Sequence, residues 1–375
     1  MIISIGISAN LLSKFFNRKM INPELPLLIA YYLPQFHRLK FNDDYWGKGF
    51  TEWTNTIKAK PLFKGHYQPH VPADLGFYDL NMQCTRRAQA SMAQQYGIGG
   101  FCYWHYWLSE NNQVMEMPFN EVLKDKEISL PFCLAWANHD WHNVQTREII
   151  IKQDYGGIKD YESHYESLRP AFLDNRYIKI FGKPIFAVFS PFEIPDIDTF
   201  FSCWNQMAKN DGFDGLYFIA IIKRDIEIQK ALGIGYDAVN IMRLQEFEYH
   251  RNLICKHLYT IKRKWFHSPY RFNFEDVMRY FTSEEDRDER VIPTIISGWD
   301  HTPRSGKNAL ILDNFTPSVF YKHVNDVLQQ VKNKHNRLVF IRAWNEWAEG
   351  NYLEPDMRFG HGYLEAIKQN IEEFL

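Results

Sequence analysis

Glu346 and Glu349 stand three residues apart in FIRAWNEWAEG (residues 340–350), among tryptophans and small residues. Two carboxyls in unlike surroundings can divide acid and base work. One protonates a leaving oxygen while the other stabilises or activates the attacking group. Trp344 and Trp347 are placed to desolvate one carboxyl and raise its pKa, as an acid working near neutral pH requires. An arbitrary E-x-x-E is usually a solvated or salt-bridged pair. The bracketing tryptophans and the position just past an apolar run favour chemistry here.

Other apolar runs end in similar polar-aromatic clusters. One contributes Tyr32, Gln35 and His37, a second Trp104, His105 and Trp107, and a third Trp136, Asn138 and Asp140. A fourth contributes Trp299, Asp300 and Arg304, and Trp344, Asn345 and Trp347 flank the glutamates. Aromatic residues make up 16% of the chain, with 11 Trp and 21 Tyr. Flat aromatic faces beside paired carboxyls suit sugar rings, so the expected chemistry is that of a glycosidic bond and the expected ligand an oligo- or polysaccharide.

No phosphate loop, G-x-S-x-G elbow or H-E-x-x-H spacing occurs. His37, His105, His139, His142 and His301 read as packing or hydrogen-bonding residues rather than metal ligands. Asp196-Ile197-Asp198 opens a helix after Pro195, where first-turn carboxylates are favoured by the helix dipole. No metal and no cofactor are expected.

The elements that must position these clusters alternate in type. Strand-like runs fall at roughly 27–33, 98–104, 131–136, 184–189, 215–222, 236–241, 291–297 and 338–343. Helical patterns fill 79–96, 160–174, 196–209, 316–333 and 361–374, with Asp79 and Thr316 as N-caps. Eight near-continuous apolar strands with intervening helices predict an α/β fold, a (β/α)8 TIM barrel. The runner-up is a doubly wound open sheet, weakened by the lack of a Gly-rich fingerprint after the first strand. Long connections follow strands one (34–78) and six (242–290). The second carries KRKWF (262–266), a basic-aromatic stretch, and EEDRDER (284–290), a solvated charged face. In a barrel the cluster-bearing ends share one rim, where active sites are built.

A formal net charge of -2 over 375 residues gives no field that would attract nucleic acid. Five cysteines without a C-x-x-C pair fit a reducing, cytoplasmic compartment without structural zinc. Residues 1–24 read as an N-terminal extension. The short apolar start precedes its basic residues, the reverse of a secretory signal, and is too short to span a bilayer. A disordered tail and a surface helix in peripheral contact with the inner face of a membrane both stay open. Residues 25–375 are expected to form the catalytic domain.

Six segments together, AYYLPQFH (30–37), YWGKGFTEWTN (45–55), GHYQPHVPADLGFYDL (65–80), YGIGGFCYWHYW (96–107), GWDHTPR (298–304) and AWNEWAEGNYLEPD (343–356), resemble the WbsX-type polysaccharide biosynthesis proteins. Those are similar in turn to glycoside hydrolase family 99, the endo-α-mannosidases and endomannanases. The resemblance implies a (β/α)8 barrel. It also implies a retaining, metal-free mechanism through a 1,2-anhydro sugar, with Glu346 deprotonating the sugar 2-hydroxyl and Glu349 as acid/base. Glu52 and Trp53, in the second segment, join the candidate substrate contacts. WbsX-type proteins are labelled glycosyltransferases and accompany O-antigen or capsule genes, so a donor that is nucleotide- or lipid-linked stays open beside hydrolysis. A non-catalytic glycan-binding barrel is the third reading. Where the family pattern is W-A-N-E-N-W, this chain has Trp136-Ala137-Asn138-His139-Asp140-Trp141, a change that bears on sugar specificity.

Overall fold

The computed structural model describes residues 25–374 except 111, 143–147, 253–255, 258, 262–264 and 266–267. The expected N-terminal extension, Cys255 and most of KRKWF lie outside the described residues. Eight parallel strands close a barrel: β1 (Leu27–Tyr32), β2 (Gly100–Ser109), β3 (Phe132–Trp136), β4 (Lys183–Val188), β5 (Tyr217–Ile222), β6 (Ala238–Ile241), β7 (Val291–Ile292 and Thr294–Ile295) and β8 (Leu338–Ile341). The (β/α)8 expectation is met, and the open-sheet alternative fails because the two halves of β7 pair with β6 and with β8, which joins the two ends of the sheet.

Closure runs through a strand that the sequence presents as continuous. Pro293 lacks an N–H and interrupts β7. Val291–Ile292 pairs with β6, and Thr294–Ile295 pairs with β8. The Pro293 carbonyl still accepts from the Phe340 N–H at 3.1 Å, so the seam holds across the break. β2 runs longer than the sequence suggests, to Ser109, because its end folds into a hairpin with Asn112–Val114.

Helices cover the outside, among them Gln83–Gln95, Ile158–Phe172, Ile197–Asn210, Pro317–Val331 and Gly362–Glu373. Asp196 and Thr316 cap as their residue types dictate, accepting from the N–H groups of Thr199 and Val319. Asp79 does not cap. Its carboxylate accepts from Asn81 N–H in the preceding turn, and the helix starts four residues later.

A polar cross-link lies among the apolar side chains of the strands. The Tyr31 hydroxyl donates to Asn240 Oδ1 at 2.8 Å, and Asn240 Nδ2 donates to Thr294 Oγ1 and the Ile292 carbonyl. This chain ties β1, β6 and β7, and the Tyr31 ring stacks under Trp104 at 4.8 Å. That stack is the floor of the rim above it.

The connection after β6 returns to the barrel around a buried ion pair. Arg243 donates to Asp286 at 2.7 Å, with Asp225 and Ser283 taking its other N–H groups. Arg243 and Asp286 are both buried. Beyond them, Tyr270–Asn273 pairs with Leu310–Asp313 over a small apolar cluster containing Phe247, Phe274 and Phe281. Replacing Arg243 with Leu strands a buried carboxylate. The variant is expected to lose about 3–5 kcal/mol of stability, read as a lower urea midpoint at unchanged slope.

Candidate active site

The eight strands end on one side in a cleft of about 670 Å³, within the usual range for ligand sites. Its walls come from β1 (Gln35), β2 (Trp104, Tyr106), the β3 end (His139, Asp140, Trp141), the β4 end (Phe189), the β7 end (Arg304) and the β8 end (Arg342, Glu346, Glu349). Two short helices of the loop after β1, Lys40–Trp46 and Glu52–Ile57, add Tyr45, Trp46 and Glu52, and Phe50 lines the loop between them.

Arg304 organises the centre. Its Nε and Nη2 donate to Glu52 Oε1 at 2.9 and 2.7 Å, its Nη1 to Glu349 at 2.5 Å, and its Nη2 to Glu346 at 3.2 Å. One guanidinium thus faces three carboxyls, and this charge imbalance sets their protonation. Burial and the neighbouring charge of Glu349 push Glu346 up to about 8. Burial also pushes Glu349 upward, but Arg304 and His301, 3.6 Å away, outweigh it and hold this carboxyl far below its usual range. Of the two, Glu346 is the carboxyl that holds a proton more readily.

The W-N-E-W-A-E turn is fixed from behind by Glu354. This buried carboxylate accepts from Trp344 Nε1 (2.8 Å), Trp347 Nε1 (2.6 Å), Gln89 Nε2 (2.6 Å) and the Tyr78 hydroxyl (2.9 Å). A single helical turn at Trp347–Glu349 follows. Gly350 then takes φ +57°, where an added Cβ would lie 2.7 Å from the Asp300 Cβ. Gly298 takes φ +92°, and an added Cβ there would meet the Gly350 carbonyl at 2.7 Å. Only glycines at both positions let the β7 and β8 ends approach this closely. The Asp300 N–H then donates to the Glu349 carbonyl at 2.6 Å, which sets the glutamate beside Arg304.

The sequence model of the glycosyltransferase WbsX family matches residues 28–367. The chain belongs to that family. It is also 34% identical over 354 residues to the uncharacterized protein WxcX of Xanthomonas campestris pv. campestris strain B100, covering 91% of this chain. The chain spans about half the length of such relatives, 49% of WxcX. Among solved structures, the GH99 endo-alpha-mannosidase from Bacteroides thetaiotaomicron superposes with a TM-score of 0.57 at 13% identity, covering 95% of this chain and 98% of that one. A glycoside hydrolase-like protein superposes with a TM-score of 0.57 at 14% identity, covering 96% and 98%. These likenesses confirm the barrel, and family membership makes the chain a carbohydrate-active protein.

Of the residues singled out in the sequence, Gln35, Glu52, Trp104, Asp140, Arg304, Glu346 and Glu349 border the cleft. The others stand behind its wall. Tyr32, Trp53, Trp107, Trp136, Trp344 and Trp347 are buried, and their polar atoms are bonded inside the protein, as when Trp136 Nε1 donates to the Trp107 carbonyl. Asn138 and Asn345 cross-link backbone segments, and His105 meets His164 at 2.8 Å. Asp300 is saturated by His66, Gln68 and Thr302, and His37 is buried beneath the β1 loop. Trp299 stacks on His301 one layer out. In this structure these side chains shape the wall without facing the cleft.

The sequence reading passed over Glu354 and Arg342. Each is a charge set in an apolar context (YLEP and FIRAW), and that was the available signal. No group of three or more His, Cys, Asp or Glu among the described residues is arranged to hold a metal ion. None of their helices is long and apolar enough to cross a membrane.

Removing the Arg304 charge takes away the partner that holds Glu349 ionised. In Arg304→Gln the Glu349 pKa is expected to rise by at least ~1 unit, read from the carboxyl carbon shift in a pH titration by NMR. A pKa that stays low would show that His301 suffices.

Proposed function

We propose that the cleft holds an α-linked glycan of bacterial surface polysaccharide, and that Glu346 and Glu349 make or cleave its glycosidic bond with retention of configuration. The observation that carries this reading is two half-buried carboxyls, three residues apart, lining the cleft on a single guanidinium, with burial pushing Glu346 up and Arg304 holding Glu349 down. The two-step route through a 1,2-anhydro sugar needs one proton between the two. As the 2-hydroxyl oxygen attacks C1, its proton passes to one carboxylate, and the other carboxyl protonates the departing oxygen. The pair begins and ends the step with one proton. The second step reverses the transfers with water or a sugar hydroxyl as acceptor.

The resemblance assigns the acid to Glu349 and the base to Glu346, yet Glu346 is the carboxyl that holds a proton more readily. Arg304 and His301 are the groups that hold Glu349 ionised. A bound sugar hydroxyl that takes over either contact raises Glu349 and allows the proton to cross. Trp104, stacked on Tyr31, offers an aromatic face in the cleft for the reacting sugar. The family description favours transfer to a sugar acceptor over hydrolysis, with a lipid-linked donor and a membrane-apposed, cytoplasmic setting as the matching context. In this reading residues 25–375 act as one catalytic unit.

Glu349→Gln is expected to lower turnover of a native α-glycan by about 10²–10⁴-fold, while largely sparing a dinitrophenyl α-glycoside whose leaving group needs no proton. Glu346→Gln is expected to lose both substrates. Interchanged results would swap the two roles, and undiminished turnover in both variants would sink the reading.

The pH profile follows from the same pair. Activity requires the shared proton, so it is expected to fall as pH rises through about 8, where Glu346 loses it. No matching fall is expected between pH 7 and 5, because Glu349 stays ionised there. A kcat profile that rises through pH 8 would contradict the one-proton requirement.

A further inference from the structure

The cleft contains a second arginine that the catalytic pair does not occupy. Arg342 leaves β8 one residue after Ile341 and lines the cleft beside Glu346, Glu349 and Asn351. Arg304 is saturated by three carboxyls, whereas the Arg342 guanidinium makes no hydrogen bond to a protein oxygen among the described residues. Its Nε is buried with no hydrogen-bond partner. Its Nη1 points to the thioether sulfur of Met242, a weak acceptor. Its guanidinium carbon lies 5.5 Å from the Trp299 ring centroid, which holds the plane without satisfying its N–H groups.

A neighbouring donor is in the same position. Asn351 is buried and pairs across the turn with Glu346. Its Oδ1 accepts from the Ser297 hydroxyl at 2.5 Å, while its Nδ2 has no partner. The Ser297 oxygen also lies 3.1 Å from the carbonyl of Ala343, the residue after Arg342, so its one proton is divided between the two acceptors. The two unpartnered donors therefore belong to one patch of wall, tied together through Ser297. Buried donors are rarely left unpaired without a ligand or water to take them.

We propose that Arg342 and Asn351 form a subsite for an anionic group on the glycan, a sugar carboxylate or a sugar phosphate, and that the cleft selects acidic over neutral sugars. A planar guanidinium with unspent donors matches either anion. The facing charges permit it. Glu346 is the member of the pair that holds a proton more readily, and Glu52 and Glu349 are both spent on Arg304. Arg342 itself lowers both catalytic carboxyls, so an anion seated on it weakens that pull and raises them. This inference rests on the glycan reading of the cleft and adds the class of sugar.

The test is binding measured by calorimetry and by saturation-transfer NMR on the intact chain. The probes are glucuronic, galacturonic and mannuronic acids, their hexose 1-phosphates, and the neutral parent hexoses. At least one acid or phosphate is expected to bind about tenfold or more tightly than its neutral parent. Arg342→Gln should remove most of that difference, and Arg342→Lys should restore part of it. A carboxylate preference and a phosphate preference each support the subsite and identify which anion it serves. If acids and phosphates bind no better than the neutral sugars, or if the preference survives Arg342→Gln, the anion subsite is overturned while the glycan reading stands. If no sugar of any kind binds to a chain that melts normally, both fall together.

Discussion

The buried carboxylate of Glu354 is the constraint on which the active rim depends. A carboxylate removed from water must have its lone pairs taken up. Here two indole N–H groups, an amide and a phenol take them. Two of those donors, Trp344 and Trp347, bracket Glu346 within four residues. Anchoring both indoles to one point leaves the intervening backbone little freedom, so the W-N-E-W turn has one conformation. The other two donors come from the loop after β1 and from the Gln83–Gln95 helix. A single charge thereby fastens the β8 end to elements more than 250 residues away in sequence. Burial pushes the Glu354 carboxyl up to about 7 despite four donors.

The front of the turn is then governed by charge. Arg304 arrives from the β7 end because Gly298 and Gly350 let two backbones meet where side chains would collide. Three carboxyls on one cation cannot all be ionised cheaply in a desolvated place. The carboxyl with the weakest contact, Glu346 at 3.2 Å, is the one whose pKa is pushed up. Glu52 takes two donors of the guanidinium and so works as a spacer that limits what Arg304 can offer the catalytic pair. The pKa split is thus a property of the triad as a whole.

The barrel was legible because local pattern and global fold agree. Near-continuous apolar runs such as LLIAYY and YFIAII are what a helix-covered parallel sheet requires. Where a residue acts through a long-range partner, legibility failed. Pro293 could be seen, but not that the seam would tolerate it through one carbonyl. Asp79 has the type of a cap, and an earlier turn claimed it. The tryptophans announced a sugar site by composition. Most of them serve as packing and as N–H donors to buried acceptors, and the cleft-facing aromatics come partly from Tyr45, Trp46 and Phe50 in the loop after β1. The paired glutamates were visible because three-residue spacing is local. Glu354 and Arg342 were not, because a charge inside an apolar stretch shows its purpose only when its partners, or their absence, are known in space.

Cleavage and synthesis differ only in what takes the second step. The same proton count serves water and a sugar hydroxyl, so the glutamate pair is indifferent to the choice. What distinguishes the two acceptors is residence. Water reaches the open cleft by diffusion, whereas a sugar held against the aromatic walls gains the large effective concentration of a positioned reactant. The cleft supplies such walls in Tyr45, Trp46, Trp141 and Phe189. On the proposed reading, direction is set by what the loops around the cleft hold as acceptor, and the catalytic turn need not change between breaking and making a glycosidic bond.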